Sequence, residues 1–166
     1  MRTLERDELK ELLSKCWLTH DGMWFYHCMQ ECGIEKVNKV NSAAARSVGL
    51  VEVKRIQKAL GVGEIETFDQ LKEFLEGFWD VLIADFVQFR RTFPAHNRLH
   101  IEMDDCFAYN GIQRMGAIDR YDCGIFARTA AWFDGLGIAY SVTPEIKGCM
   151  YHTEGRCFRD FTFTLR

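Results

Sequence analysis

The chain has 166 residues, of which 48% are hydrophobic, 27% charged and 13% aromatic, a composition that excludes wholesale disorder and fits a single domain. The net charge is -3, from 21 Lys+Arg against 24 Asp+Glu; with no basic footprint, nucleic acid is not expected as a partner. The N-terminus, Met1-Arg-Thr-Leu-Glu-Arg-Asp-Glu8, lacks the apolar core of a leader, and the most apolar run, Phe78–Phe89, is interrupted by Asp80 and Asp85 and too short to span a bilayer. A cytosolic protein without a membrane partner is therefore expected.

Helical periodicity dominates the first half. Leu4, Leu9, Leu12 and Leu13 suggest a short amphipathic start, and Asp21 has N-cap chemistry ahead of a helix ending at Gly33. A third helix is predicted over about 35–47, where Ala43, Ala44 and Ala45 permit close packing, with a break at Gly49 and a fourth segment over Val51–Leu60. The clearest element is Thr67–Phe93. Thr67 and Gln70 form a capping box, and Phe68, Leu71, Phe74, Leu75, Phe78, Leu82, Ile83, Phe86 and Val87 make an i, i+3, i+4, i+7 stripe that runs toward Pro94. This spine is expected to pack on the sheet that follows. Because Trp79, Val81, Ile83 and Phe89 lie off the stripe, it is also expected to bury surface against a second copy, giving a homodimer.

Beyond Pro94 the period becomes two. Leu99, Ile101 and Met103 alternate with His100, Glu102 and Asp104; Ile138, Tyr140 and Val142 form a second strand closed by Pro144; Phe161, Phe163 and Leu165 form a third. Between the first two lies a helix capped by Asp122 and ended by Gly135 and Gly137. The prediction is an α+β fold, a helical N-terminal half (about 1–93) packed on a small antiparallel sheet (about 98–166) in the order helices-β-α-β-β, all in one domain over 1–166. The outward-facing sheet residues are expected to be a solvated face.

The candidate chemistry lies in cysteines and aromatics. Seven cysteines, an odd number at low density, should be free thiols, metal ligands or a nucleophile rather than disulfides. Cys123 is placed at the first helical position after Asp122, where helix N–H groups favour a thiolate, making it the candidate nucleophile or ligand anchor, with Cys106 as neighbour. Cys106, Cys123, Cys149 and Cys157 all fall at element ends that can converge on one pocket, Cys149 and Cys157 flanking a predicted hairpin turn at Tyr151–Arg156. Their intervals of 16, 25 and 7 residues are poor spacing for a structural metal site, and no metal ligand set is assigned, although Cys-ligated metal binding stands as one alternative. In Thr19-His-Asp-Gly-Met-Trp-Phe-Tyr-His27, His20 is a candidate general base, and Trp24 and His27 are candidate ligand contacts on the same helical face. Tyr109 and Tyr121 are further candidate ligand-binding residues. A purely binding alternative, a sensor domain, has an aromatic pocket of Trp24, Phe107, Tyr109, Tyr121 and Trp132. No dinucleotide loop, Walker A, G-x-S-x-G or H-E-x-x-H motif is present, and the cofactor is unassigned.

Cys16-Trp-Leu-Thr-His-Asp-Gly-Met-Trp-Phe-Tyr-His-Cys28 and Glu31-Cys-Gly-Ile-Glu-Lys-Val-Asn-Lys39, with Cys106, Gln113, Arg114, Cys123 and the strand at Cys157, resemble the pattern of an uncharacterised prokaryotic cytosolic protein family. More distantly, the layout resembles the aminothiazoline-carboxylate hydrolase-like group, which includes ring-opening hydrolases that lead to cysteine. Where that group has a Cys-Asp-Phe strand, this chain reads Cys157-Phe-Arg-Asp-Phe161. The resemblance implies a small-molecule protein, a hydrolase of a small carboxylate or amide acting through a cysteine-containing pocket.

Overall fold

In the computed structural model, which describes residues 1–166, the chain is helical from Arg6 to Ala59 except at Gly33. Gly33 has φ 80° and serves both as the C-cap of α1 (Arg6–Cys32) and as the N-cap of α2 (Ile34–Ala59), a backbone setting that side chains with a Cβ rarely adopt. The expected stop at Gly33 is therefore present, but the expected breaks at Asp21 and Gly49 are not. Asp21 lies within α1 and caps nothing, because the residues before it are already helical. Gly22 faces open space and only weakens the helix.

Gly49 has a packing role instead. A Cβ there would lie 2.5 Å from the Arg128 carbonyl oxygen, and one at Gly135 would lie 2.5 Å from Val53 Cγ1. These two glycines, with Ala131, let α2 press closely against α5 (Ile125–Leu136). The contact is fastened by a half-buried ion pair. Arg128 donates from Nε to Glu52 Oε1 at 2.7 Å and from Nη2 to Oε2, and Trp132 Nε1 donates to Oε1 as well. The Arg128 guanidinium also lies 4.8 Å from the Trp17 ring centroid, which draws α1 onto the same knot.

α3 (Phe68–Leu82) begins as the capping box predicts. Gln70 N–H donates to Thr67 Oγ1 at 3.3 Å and Thr67 N–H donates to Gln70 Oε1 at 3.1 Å. The expected spine is nonetheless cut short. The helix ends at Leu82, Val87 N–H bonds Ala84 O at 2.9 Å in a turn, and Phe89–Thr92 becomes β1. Arg90 and Arg91, predicted in a last helical turn, are strand residues. The apolar stripe is ambiguous past Leu82, and pairing of β1 with β2 decides it: Phe89 opposite Met103, Arg91 opposite Ile101. Of the residues off the spine's stripe, Trp79 is buried with the Arg91 guanidinium 4.6 Å above its ring, Ile83 and Phe89 are half-buried and Val81 is exposed.

β2 (Arg98–Met103), β3 (Tyr140–Thr143) and β4 (Cys157–Phe163) complete an antiparallel sheet in the order β1-β2-β4-β3. The fold is α+β with a helical N-terminal half, as expected, with one more strand and with three short elements that the periodicity does not show: α4 (Phe107–Arg114), a 3-10 turn at Ile118–Arg120 and α6 (Met150–Glu154). α6 replaces the predicted hairpin turn. The inward face of the sheet carries Leu99, Ile101 and Met103 beside Cys157, Arg159, Phe161 and Phe163. Phe133 of α5 meets Phe161 and Phe163 at 5.1 and 4.7 Å between ring centroids, while α3 meets the sheet through Phe68, 6.2 Å from Phe163. The outward face is a web of charge: Glu102 receives Arg90 and Arg156 at 3.1 Å each, and His100 Nδ1 lies 2.8 Å from Asp160 Oδ1.

An apolar cavity of about 100 Å³ remains where α1, the end of α3, β1, β2 and α5 meet, lined by residues including Trp17, Trp79, Met103, Phe126 and Trp132. No helix is long and apolar enough to cross a membrane.

The two mid-helix glycines should respond oppositely to alanine. Gly49→Ala should cost about 1–3 kcal/mol, because the carbonyl it meets is fixed backbone. Gly22→Ala, with nothing to clash, should be neutral or gain up to about 1 kcal/mol of helix propensity. Urea denaturation midpoints of the two variants decide between these outcomes.

Candidate functional site

Four cysteines from four different elements meet below one end of the sheet. Cys106 is the N-cap of α4, its sulfur 3.5 Å from the Tyr109 N–H that donates to it. Cys149 is the N-cap residue of α6, and Cys157 opens β4 opposite Met103. Cys123 lies two residues before α5. The groups are close enough to act on one another electrostatically: Cys157 feels Cys123, Cys106 and Cys149, and Tyr121 feels Cys123, Cys106 and Cys149. All seven cysteines of the chain are free thiols. Cys106, Cys149 and Cys157 are buried, and Cys123 is half-buried. Tyr121 is buried against Phe25 of α1, ring centroids 5.7 Å apart, and Tyr109 packs on Tyr151 at 4.9 Å.

Three of these thiols, Cys106, Cys123 and Cys157, are held neutral. Burial pushes Cys106 from an ordinary 9.0 up to about 11 and Cys157 up to about 12. Burial also pushes Cys123 up, and it outweighs the opposing pull of the Ile125 and Phe126 N–H groups and of the Arg159 charge. This corrects the expected activation of Cys123. The helix starts at Ile125 rather than at Cys123, Gly124 occupies the cap position, and no side chain caps it. The helix N–H groups do reach the sulfur, but desolvation of a thiolate is the larger effect. Tyr121 is likewise driven up by burial.

The histidines stand elsewhere. His20, Trp24 and His27 line a shallow exposed groove with Met23, Cys28, Glu31 and Cys32, all residues of α1. His20 Nε2 accepts from Trp24 Nε1 at 3.1 Å, and Trp24 is 61% exposed. Phe25, on another flank of the same helix, is the residue that faces the thiols. His20 is thus not placed as a base for Cys123, and Trp24 and His27 are not in the thiol pocket. The expected aromatic pocket is also dispersed: Trp132 is in the main core on Glu52, Phe107 is exposed, and Tyr109 and Tyr121 remain with the cysteines. No group of three or more His, Cys, Asp or Glu side chains is arranged to hold a metal ion.

Arg159 is the site residue that sequence reasoning misses. It is buried on the inward sheet face, its guanidinium 4.7 Å from the Phe126 ring centroid, and its charge acts on Cys123 and Cys157. The signal was available in the alternation of β4. Extending the period of Phe161 and Phe163 backwards puts Arg159 and Cys157 on the same inward face.

The fold is that of an α+β protein with free thiols and a buried arginine beside the start of α5. The chain belongs to a family of unknown function (DUF6125), whose model matches residues 2–130. No curated protein matches it.

The raised thiol values give a pH dependence of definite sign. Above about pH 9 the unfolded thiols ionise while the folded ones keep their protons, so the unfolded state binds fewer protons and stability falls. The loss should run from about pH 9 to the folded values near 11 and 12. Denaturation midpoints measured across that window should fall, and Cys157→Ala should remove part of the slope; an unchanged slope would show that Cys157 is not desolvated.

Proposed function

We propose that this is a cytosolic small-molecule-binding protein whose ligand, a small carboxylate or amide, sits against the thiol cluster. The observation that supports this reading is that Cys106 and Cys157 in one core cluster and Cys149 and Cys123 in the next, with Tyr109 and Tyr121, lie near enough to act on one another, Cys123 being the least buried of the four. Binding is favoured over hydrolysis, the activity implied by the resemblance to the aminothiazoline-carboxylate hydrolase-like group. A nucleophilic thiol needs a proton acceptor within about 2.6–3.2 Å, Cys123 is held protonated, and His20 faces the groove on α1. In a thermal-shift screen of small carboxylates and amides, at least one compound should raise Tm and also slow iodoacetamide labelling of Cys123. A screen in which no stabilising compound protects Cys123 overturns the reading. Turnover of a hit that is lost in Cys123→Ser while binding persists would restore the hydrolase.

The homodimer belongs to the same proposal, but on α1 rather than α3. Of the 27 residues of α1 only Phe25 is buried, and Leu9, Leu12, Leu13, Trp17, Met23 and Trp24 remain exposed. Leu9, Leu12, Leu13 and Trp17 are three or four residues apart and Met23 and Trp24 return to the same side six and seven residues on, a face that can meet its own copy across a two-fold axis. Light scattering should give twice the 19.3 kDa chain mass, and Leu13→Glu should halve it; a monomer at micromolar concentration removes the dimer.

A further inference from the structure

Arg159 is only 6% exposed, yet no carboxylate pairs with it. Its acceptors are poor: Nη1 donates to the Phe158 carbonyl oxygen at 2.6 Å and to Met150 Sδ at 3.4 Å. Nε and Nη2 make no hydrogen bond within the protein. They are also not among the sealed, unpaired side-chain atoms, which are Asn38 Oδ1, Asn97 Oδ1 and Asp134 Oδ2, so a water-sized group can reach both. The adjacent acid in the strand, Asp160, points to the opposite sheet face and is taken by His100. The thiols beside Arg159 do not neutralise it, since burial holds them protonated. A buried arginine is almost never left unpaired, because taking a cation out of water without a partner is costly. The positive end of α5, at whose first turn Phe126 lies under the guanidinium, adds to the deficit of negative charge.

We propose that Arg159 receives the negative charge of the ligand, an oxyanion group (carboxylate or phosphate) seated against its free Nε and Nη2 beside Cys123. This rests on the thiol-pocket reading and narrows it, since it selects an anionic ligand over a neutral amide. A planar guanidinium with two adjacent free donors suits a two-point bond to an oxyanion.

Alkylation of the full-length protein with two reagents tests this. Iodoacetate carries the carboxylate and iodoacetamide is its neutral counterpart; peptide mass spectrometry reads each cysteine, and the exposed Cys16 is the internal reference. At Cys123 the iodoacetate-to-iodoacetamide rate ratio should exceed that at Cys16 by about tenfold, the value of one charged hydrogen bond. Acetate or inorganic phosphate should suppress iodoacetate labelling at Cys123 but not at Cys16, and the more potent of the two identifies the oxyanion. Arg159→Met should bring the Cys123 ratio down to that of Cys16. If it also raises Tm, the arginine is confirmed as a cation kept at the expense of stability; if it fails to fold, the wild-type ratio and the anion protection still decide. Equal ratios at Cys123 and Cys16 in the wild type, with iodoacetamide reacting at both, overturn the anion site and leave the pocket standing. A Cys123 that resists both reagents overturns the pocket, and the anion site with it.

Discussion

The carboxylate of Glu52 holds the molecule together. It sits in the α2–α5 contact and is held by a two-point bond from Arg128 and a third donor from Trp132. Such a pair contributes little over a well-packed apolar contact, but losing one partner leaves a charge stranded, at a cost of about 3–5 kcal/mol when fully buried. Its main effect is to fix register. Gly49 and Gly135 allow the close approach, and Glu52 and Arg128 permit only one rotational and axial alignment of the two helices. Everything downstream follows from that alignment. The N-terminus of α5 carries Cys123 and Phe126, so the helix that α2 locks in place also sets where the half-buried thiol and the seat of Arg159 lie.

The chemistry of the pocket comes from a conflict between two fields. The start of α5 and the Arg159 guanidinium both favour an anion, while dense packing disfavours one on sulfur. Desolvation prevails at Cys106, Cys123 and Cys157. The surroundings of Arg159 are therefore electropositive yet hold the neutral thiols of Cys123 and Cys157, a setting that differs from that of a catalytic cysteine. In a catalytic site the same positive field stabilises the thiolate itself, because the sulfur is exposed or has an imidazole beside it.

Local chemistry that acts over three or four residues was legible in the sequence. The Thr67–Gln70 capping box, the stop at Gly33 and the alternation of β2 all correspond to features of the structure. What escaped reading depends on distant partners. The stripe through Ile83 and Val87 is equally compatible with helix and strand, and it is β2 that ends α3 at Leu82. Gly49 reads as a breaker in isolation and is a contact point once α5 is present. α4 and α6 are short helices without enough periodicity to be seen. That Cys106, Cys149 and Cys157 stand at element ends was legible, but the ionisation of Cys123 was not, because burial is not a local property. Arg159 escaped because an alternation begun at Asp160 leaves it outside the predicted strand, although it lies at the centre of the inward face.

The strand order has a consequence for synthesis. β4 is the last strand in chain order, but it lies between β2 and β3 and pairs with both. As the chain leaves the ribosome, α1, α2 and α3 emerge with their apolar faces uncovered, then β1 and β2 can pair as a hairpin while β3 has no strand to join. Only when β4 arrives can the sheet close, and it brings Cys157 and Arg159 with it. Closure must also bridge a long span of sequence, which makes it slow relative to helix formation. Until β4 is made, the helices and the β1–β2 hairpin have an uncovered apolar face and a free sheet edge, features of the kind that chaperones bind. The surroundings of Arg159 and Cys157 are then the last part of the fold to be assembled.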